Sequence, residues 1–456
     1  MEISKNQDVE LEITGVTHDG SGVGRYGGMA VFVPGTARGD VVNAHIVSLK
    51  KNYAYGKLNK IVSPSAERID NDCPAFLKCG GCCFRHISYE EELRIKYDRV
   101  KETLRKIAKT DIVPEPIIGS EKINGYRNKA EFPVGVDAAG KLYAGFFAPR
   151  SHRIVETADC LLQPPQFGDA VRAILKWAQI AGATAYDEVT GKGLLRHIYL
   201  RRADSTGEIM ACAVINGRTI PRGELLVGML RESVPEIKSI IYSINTEKTN
   251  VILGKKCVTL WGADRISDVF AGKKIEISPL SFYQVNKPQA EVLYETAADF
   301  LGRDAGDYLL DLYCGMGTIG MYMSDMAGHV CGVEQVPQAV DDARRNAALN
   351  GIKNMEFICA DAGTAAEKLA GDGVKPDTIT VDPPRKGLDE TAKKALLTMA
   401  PERIAYVSCD PATLARDIFE LTSNGEYRLM RVRPVDMFPR SAHVETIVLM
   451  SRIEEK

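Results

Sequence analysis

The sequence predicts an α/β chain in three parts: a small N-terminal β-barrel over residues 1–66, a central α+β region with a cysteine cluster over 67–275, and a C-terminal doubly wound, Rossmann-like sheet over 276–456. Three observations predict it. Short alternating strands broken by glycine turns fill the start of the chain, a knot of cysteines follows, and from Pro288 onward strands and helices alternate regularly. A length of 456 residues agrees with this division, because a single core stops growing near about 250–300 residues.

In the N-terminal part, "VELEITGV", "MAVFVPG", "VVNAHIVSL" and "YAYGKLNKIV" alternate with the period of half-buried strands, and "HDGSGVGRYGG" and "TARGD" break them. Strands of this length at this spacing close into small barrels, which often carry oligonucleotides but also serve as plain packing modules. "CPAFLKCGGCCF" comes next, then a helical run, "YEEELRIKYDRVKETLRKIAKT". From Lys78 to Lys109 nine Lys and Arg face five Asp and Glu, a local excess of +4 in a chain of net charge −2. Such a run suits an RNA-binding patch and equally the solvated face of any helix. The region up to about residue 270 mixes strands such as "RHIYLRRA", "IMACAVIN" and "KSIIYSIN" with less regular sequence. Within it "YRNKAEF" and "RHIYLRR" interleave cations with aromatics, a pattern that can stack on or neutralise RNA and that ordinary surface strands also show.

From Pro288 the order is helix "PQAEVLYETAADFLG", strand "YLLDLYCG", helix "TIGMYMSDMAG", strand "HVCGVEQV", helix "PQAVDDARRNAALNG", strand "MEFICADA", then strands "DTITVDPP" and "IAYVSCD" with helices between. This is the rhythm of βαβ units and a mostly parallel sheet. The tail, "YRLMRVRPVDMFP" to "HVETIVLMSRI", reads as an antiparallel pair at the sheet's edge.

Composition narrows the class of function. Charged residues make up 26% and hydrophobic ones 45%, the mix of a soluble globular protein, and a net charge of −2 leaves any RNA-binding surface as a local patch. The N-terminus lacks the apolar core of a signal peptide, and no stretch approaches about 18 apolar residues, so a cytoplasmic protein with no membrane partner is expected. Eleven cysteines in such a chain point to ligands or catalysts rather than a disulfide framework.

"DLYCGMGTIG" sets Gly315, Gly317 and Gly320 between a strand and a helix, where glycine lets the backbone turn tightly and approach a ligand. That string alone also fits nicotinamide-dependent oxidoreductases. Asp311 before the glycines suits a cationic or amine-bearing ligand and would repel a pyrophosphate, although a turn or helix-capping carboxylate would read the same. Glu334 ends the next strand, placed for ribose hydroxyls. Ligands of open α/β sheets lie beyond the carboxyl ends of the strands, so Asp311, Glu334, Asp361, Asp382 and Cys409 are expected to converge on one crevice. Cys73, Cys79 and Cys82 lie close together and Cys160 follows much later; three near thiols and one distant can close a zinc site or hold an iron-sulfur cluster. Cys83 is left out as adjacent to Cys82, and Cys212, Cys257, Cys314, Cys331 and Cys359 read as core fillers.

Taken together, these residues resemble the S-adenosylmethionine-dependent RNA uracil-5 methyltransferases over nearly the whole chain. "SFYQVN", "DLYCGMGTIG", "DPPRKG", "SCDPATLARD" and "HVET" fall in that family's order, the β-module looks like its TRAM domain, and "C-x5-C-x2-C" with a later cysteine looks like its iron-sulfur motif. The resemblance implies Cys409 as nucleophile and Glu445 as base. It also implies Gln284, Tyr313, Gly315, Thr318, Glu334, Asp361 and Asp382 as cofactor contacts, Phe282 near the target base, and Cys73, Cys79, Cys82 and Cys160 around a [4Fe-4S] cluster. The chain departs from the family at Asp410 and Asp361, where asparagine is frequent. RNA cytosine-5 methyltransferases fit less well, since they carry a cysteine in the "PP" motif where this chain has Arg385. The barrel and cysteine cluster point within the family to 23S ribosomal RNA rather than transfer RNA, and a monomer is expected. Asp410 followed by Pro411 reads as an N-cap and first helical residue, whose helix would favour the Cys409 thiolate while the Asp410 charge opposes it.

Overall fold

The structure is a computed structural model that describes residues 3–453. Five strands close the N-terminal barrel in the order Asp8–Val16, Gly22–Tyr26, Met29–Val33, Tyr53–Ser63, Val41–Leu49. Alternation drives it: Val9, Leu11, Ile13, Val31, Val33, Val42, Ala44, Ile46 and Ala54 all point inward and are buried together. Gly24 sits where a β-carbon would meet the Glu12 carbonyl at 2.3 Å, so the first two strands approach closely only because it is glycine.

The central sheet has seven strands, ordered Lys256–Gly262, Ile237–Ile244, Ile209–Ile215, Leu195–Arg202, Lys129–Val136, Leu142–Phe147, Ile154–Glu156. Helices Pro165–Ala181 and Gly223–Ser233 cover one face, around fully buried Trp177 and Ile174. The other face contributes Tyr199, Met210, Cys212 and Val214 to a core shared with the C-terminal sheet. Buried strands that pack on both sides explain the near-continuous apolar run "IMACAVI". Here the RNA-facing expectation for "YRNKAEF" and "RHIYLRR" is corrected. Tyr126, Asn128, Arg196, Tyr199 and Arg201 are buried. Arg196 donates to the Asn245 and Glu247 carbonyls, and Arg201 to those of Ser278 and Ser281. Their guanidinium groups satisfy buried backbone acceptors, which alternation of residue types cannot reveal.

The C-terminal sheet runs Met355–Cys359, Ala327–Glu334, Gly306–Leu312, Thr378–Val381, Arg403–Ser408, Glu445–Arg452, Tyr427–Val435. The first five are parallel, as expected. The tail does form an antiparallel pair at the edge, with Glu445–Arg452 inserted against Arg403–Ser408 and Tyr427–Val435 outermost. Helix Tyr89–Thr103, continued by a π-turn at Leu104–Ala108, packs on this sheet's core: Val100, Leu104 and Ala108 join Leu414, Ile418 and Val448. Among the described residues no helix is long and apolar enough to cross a membrane.

Candidate active site

The strand order reverses between Gly306–Leu312 and Thr378–Val381, and the crevice expected at such a switch point opens over their carboxyl ends. Gly315 and Gly317 both adopt positive φ, at 56° and 79°, and so does Tyr313 at 64°, a residue type for which that conformation is strained. A β-carbon on Gly315 would meet nothing within 4 Å, whereas one on Gly317 would strike the Phe357 ring at 2.9 Å. The loop is therefore open at its first glycine and packed tight at its second. Glu334 accepts from Gly315 N at 3.2 Å and Val336 N at 2.8 Å, which holds its carboxylate at the strand end beside the loop. Thr318 begins the next helix and its Oγ1 lies 3.1 Å from the Tyr294 hydroxyl. Asp361 caps helix Ala362–Gly371, accepting from Thr364 N and Oγ1.

Asp311 behaves as an internal brace. It is buried, accepting from Thr380 Oγ1 at 2.8 Å and Gly320 N at 3.0 Å, and burial raises its pKa to about 7 despite those bonds. Asp382 follows the fourth strand; burial and then the Asp311 charge raise it, too, to about 7. Two carboxyl groups in this state at the ends of adjacent strands, one of them buried, lie near an open glycine turn and are an electrostatic environment that a cation relieves.

Register brings Cys409 and Glu445 together. Ser408 pairs with Thr446 across the antiparallel ladder, so the next position sets Cys409 opposite Glu445 although 35 residues separate them in the chain. Glu445 is 6% exposed, and burial with Asp382 nearby raises its pKa to about 8 while Arg385 opposes the shift. Cys409 is pushed up to about 11 by burial, Glu445 and Asp382, again against Arg385. Asp410 accepts from Ala412 N at 2.8 Å and Thr413 N at 3.1 Å, the geometry of an N-cap. Sequence reasoning missed Arg385 and His443 as partners. Arg385 Nη2 donates to His443 Nε2 at 3.2 Å, and burial with nearby cations holds His443 neutral, with a pKa of about 4. The signal was present in "DPPRKG" and "HVET", whose unassigned residues meet here.

The loop after Ile277 carries Phe282, 61% exposed, and Gln284. Asn128 Nδ2 and Asn286 Nδ2 fasten it, to the Gln284 carbonyl at 2.9 Å and the Met437 carbonyl at 3.0 Å.

A cavity of about 320 Å³ adjoins this site, lined by Cys73, Cys79, Cys82 and Cys160 at one side and by Arg385, Phe438 and His443 at the other. Burial raises the pKa of Cys79, Cys82 and Cys160, and each feels the charge of another cysteine of the set. Arg85 and Gly81 N hydrogen-bond to Cys82 and Cys79, donors that favour thiolates. Among the described residues no three metal-ligating side chains stand close enough to hold a metal ion. Cys83 is not among the residues lining that cavity; it is half-buried and packs near Phe84 and Gly20. Of the expected core fillers, Cys212, Cys314 and Cys331 are buried, Cys257 is half-buried and Cys359 is exposed.

A thiol and a carboxylate facing each other beside a switch-point crevice, on a sheet with one antiparallel strand inserted near its edge, define a methyltransferase-class α/β enzyme. The family model for tRNA (uracil-5-)-methyltransferase matches residues 265–453, and that for the TRAM domain matches 4–58. A Clostridium tetani protein described as an uncharacterized RNA methyltransferase is 41% identical over 100% of this chain and 98% of its own length. A Halalkalibacterium halodurans protein of the same description is 41% identical over 98% of each. The chain belongs to the RNA (uracil-5-)-methyltransferase family, and the nicotinamide-dependent alternative falls. The solved Pyrococcus abyssi tRNA (uracil-54, C5)-methyltransferase in complex with S-adenosyl-L-homocysteine matches 97% of this chain and 99% of its own, with TM-score 0.78 and 26% identity. A neighbour named for transfer RNA thus spans the same barrel, central region and catalytic sheet. Architecture alone therefore does not select ribosomal RNA.

Proposed function

We propose that the chain methylates C5 of uridine in 23S ribosomal RNA from S-adenosylmethionine, with Cys409 as nucleophile and Glu445 as general base. The observation that carries this reading is the ladder that sets Cys409 opposite Glu445 beside the Asp382 crevice. S-adenosylmethionine supplies, when bound, a methyl group on a cationic sulfur. The open side of Gly315 and the carboxyls of Asp311 and Asp382 suit that cation, and Glu334 suits ribose hydroxyls, with Tyr313, Thr318, Asp361 and Gln284 completing the crevice.

Uracil C5 is a weak nucleophile that carries a hydrogen. Cys409 Sγ adds to C6, and the electrons of the C5–C6 double bond move toward O4 so that C5 becomes nucleophilic. Once C5 bears a methyl group, Glu445 takes its proton, the C5–C6 double bond re-forms, and the C6–S bond breaks to return the thiolate. Arg385 favours the charged forms of both side chains. Attack on C6 requires a uridine turned out of any stack, and the exposure of Phe282 supports a role for its ring in stacking on that base. Cys73, Cys79, Cys82 and Cys160 line one cavity and would hold a [4Fe-4S] cluster, which the family resemblance selects over zinc. Purified anaerobically, the protein is then brown with broad visible absorption; a colourless protein with one bound zinc would refute it.

Cys409→Ala is expected to abolish turnover and any covalent enzyme–RNA adduct. Glu445→Gln is expected to slow turnover by roughly 10²–10⁴-fold and to let the adduct accumulate on denaturing gels. Methylation by the alanine variant ends the mechanism. The full-length Pyrococcus neighbour favours transfer RNA as the second reading. Mapping 5-methyluridine in both RNAs, with and without the gene, decides between them.

A further inference from the structure

The loop that carries Phe282 alternates anchors with exposed side chains: Ser278, Ser281 and Tyr283 are buried, whereas Leu280 and Phe282 stand out. From the central sheet, Arg201 donates to the Ser278 and Ser281 carbonyls, and the Tyr199 hydroxyl donates to the Pro279 carbonyl at 3.1 Å. From the catalytic side one residue, Asp342 on helix Pro337–Leu349, takes both serine hydroxyls. Ser278 Oγ donates to its Oδ2 at 2.9 Å and Ser281 Oγ at 2.5 Å. Ser281 Oγ accepts in turn from Ser278 N at 3.0 Å, so the turn closes on itself and on the carboxylate together.

Asp342 is 1% exposed. A carboxylate removed from water is costly unless it is paired and hydrogen-bonded. This one is both, because its Oδ1 accepts from Arg265 Nη1 at 2.8 Å and Gln338 Nε2 at 3.3 Å while Oδ2 holds the serines. The same helix packs Val340, Ala343 and Ala347 into the core shared by the two sheets. An apolar residue at position 342 would extend that core but would hold no hydroxyl, so what the carboxylate adds is the geometry of the turn. Gln284, further along the loop, is fastened separately, its carbonyl accepting from Asn128 Nδ2.

We propose that Asp342 is a positioning residue for methyl transfer: through the hydroxyls of Ser278 and Ser281 it fixes the turn from which Phe282 presents its ring to the target uridine. This rests on the RNA methylation reading and on the stacking role given there to Phe282.

The test is a double-mutant cycle on ribosomal RNA and on bulk transfer RNA. Asp342→Asn should lower kcat/KM for the methylated RNA roughly 10- to 100-fold, with S-adenosylmethionine affinity by calorimetry unchanged because Gln284 is held elsewhere. In the Phe282→Ala background the same change should cost almost nothing more, since a residue that acts through a ring has no effect once the ring is gone. If Asp342→Asn is unfolded at the assay temperature, Ser278→Ala/Ser281→Ala carries the cycle, because it leaves Asp342 paired with Arg265. Ultraviolet crosslinking of RNA to the peptide bearing Phe282 reads contact without methyl transfer and should weaken in both variants. Wild-type kcat/KM in a folded Asp342→Asn enzyme overturns the proposal, as does a loss that multiplies in full with that of Phe282→Ala, or a Phe282→Ala enzyme equal to wild type. A wild-type enzyme that crosslinks at Phe282 yet methylates neither RNA counts instead against the proposed function, and the crosslink yield of Asp342→Asn then decides the positioning role.

Discussion

Glu445 can act as a base only when charged, and its pKa is raised to about 8 by burial and by Asp382. At pH 7 about a tenth of the free enzyme therefore holds the base ready. kcat/KM is expected to rise with pH through about 8 as Glu445 ionises and to keep rising toward about 11 as the Cys409 thiol does, where a solvated glutamate would have finished titrating far below. Asp382→Asn removes a carboxylate that raises both Glu445 and Cys409 and should move the rise to lower pH; Arg385→Gln removes the opposing cation and should move it higher. A profile of the Arg385→Gln enzyme that shifts downward or stays in place sinks this account. Cys409 and Glu445 could be proposed as nucleophile and base from "SCDPATLARD" and "HVET" because the order of short motifs survives in a linear string. Their electrostatics were not legible there. In the sequence Asp410 reads as a helix N-cap whose charge would oppose the thiolate unless spent on the helix N–H groups; it does cap the helix, and the opposition comes from burial, Glu445 and Asp382. That opposition depends on neighbours from separate strand ends, and only register brings them together.

Elements hold these side chains in place through contacts of the same long range. The segment leading into Glu445 is strapped to helix Tyr89–Thr103: buried Lys96 donates to Glu92 and Asp436 at 2.7 Å each and to the Phe438 carbonyl at 3.2 Å, while Tyr89 donates to Asp436. Arg440 N donates to Glu92, and the Arg440 carbonyl accepts from Cys83 N and Phe84 N. One buried ion cluster thus ties the segment before Glu445 to the cysteine loop. Lys96→Met leaves two carboxylates without their cation and is expected to cost about 3–5 kcal/mol, read by denaturant unfolding, and to lower kcat as the Glu445 segment loosens. An unfolding midpoint equal to wild type would show the cluster to be dispensable. Gly317→Ala should be harmful for a different reason, since its positive φ and the Phe357 ring at 2.9 Å both exclude a β-carbon; loss of cofactor binding by calorimetry is the readout. The helix itself was legible from its pattern, but its partner was not, because amphipathic spacing says that a face is buried and not against what. Tyr406 and Asp417, the two ends of the stretch "YVSCDPATLARD", show the converse: they hydrogen-bond at 2.7 Å, and Asp417 also accepts from Leu388 N, so the motif is a clamp between strand, helix and the "DPPRKG" loop.

At the scale of the whole molecule the same carboxyl groups couple catalysis to stability. Asp311 and Asp382, near 7, and Glu445, near 8, all lie above their unfolded values of 3.8 and 4.5, so the folded state holds their protons longer. The stability this provides is complete below the unfolded values and is lost as pH rises through 7 to 8. Three histidines act in the opposite sense: buried His86 and half-buried His197 and His443 fall from 6.5 to about 4, and the stability they provide is lost only as pH falls below the unfolded value. Between about pH 6.5 and 8 the histidines are neutral folded or unfolded, and the raised carboxyls titrate differentially. The thermal midpoint of the ligand-free protein is therefore expected to fall between about pH 6.5 and 8.5, and Glu445→Gln and Asp382→Asn should each flatten the decline. S-adenosylmethionine should raise the midpoint more at the upper end of this range than the lower, because a cation binds best where the crevice carboxyls are charged. A midpoint that holds level or climbs over this range would mean that the crevice acids ionise normally, and the cation-seeking character assigned to the cofactor site would fall with them.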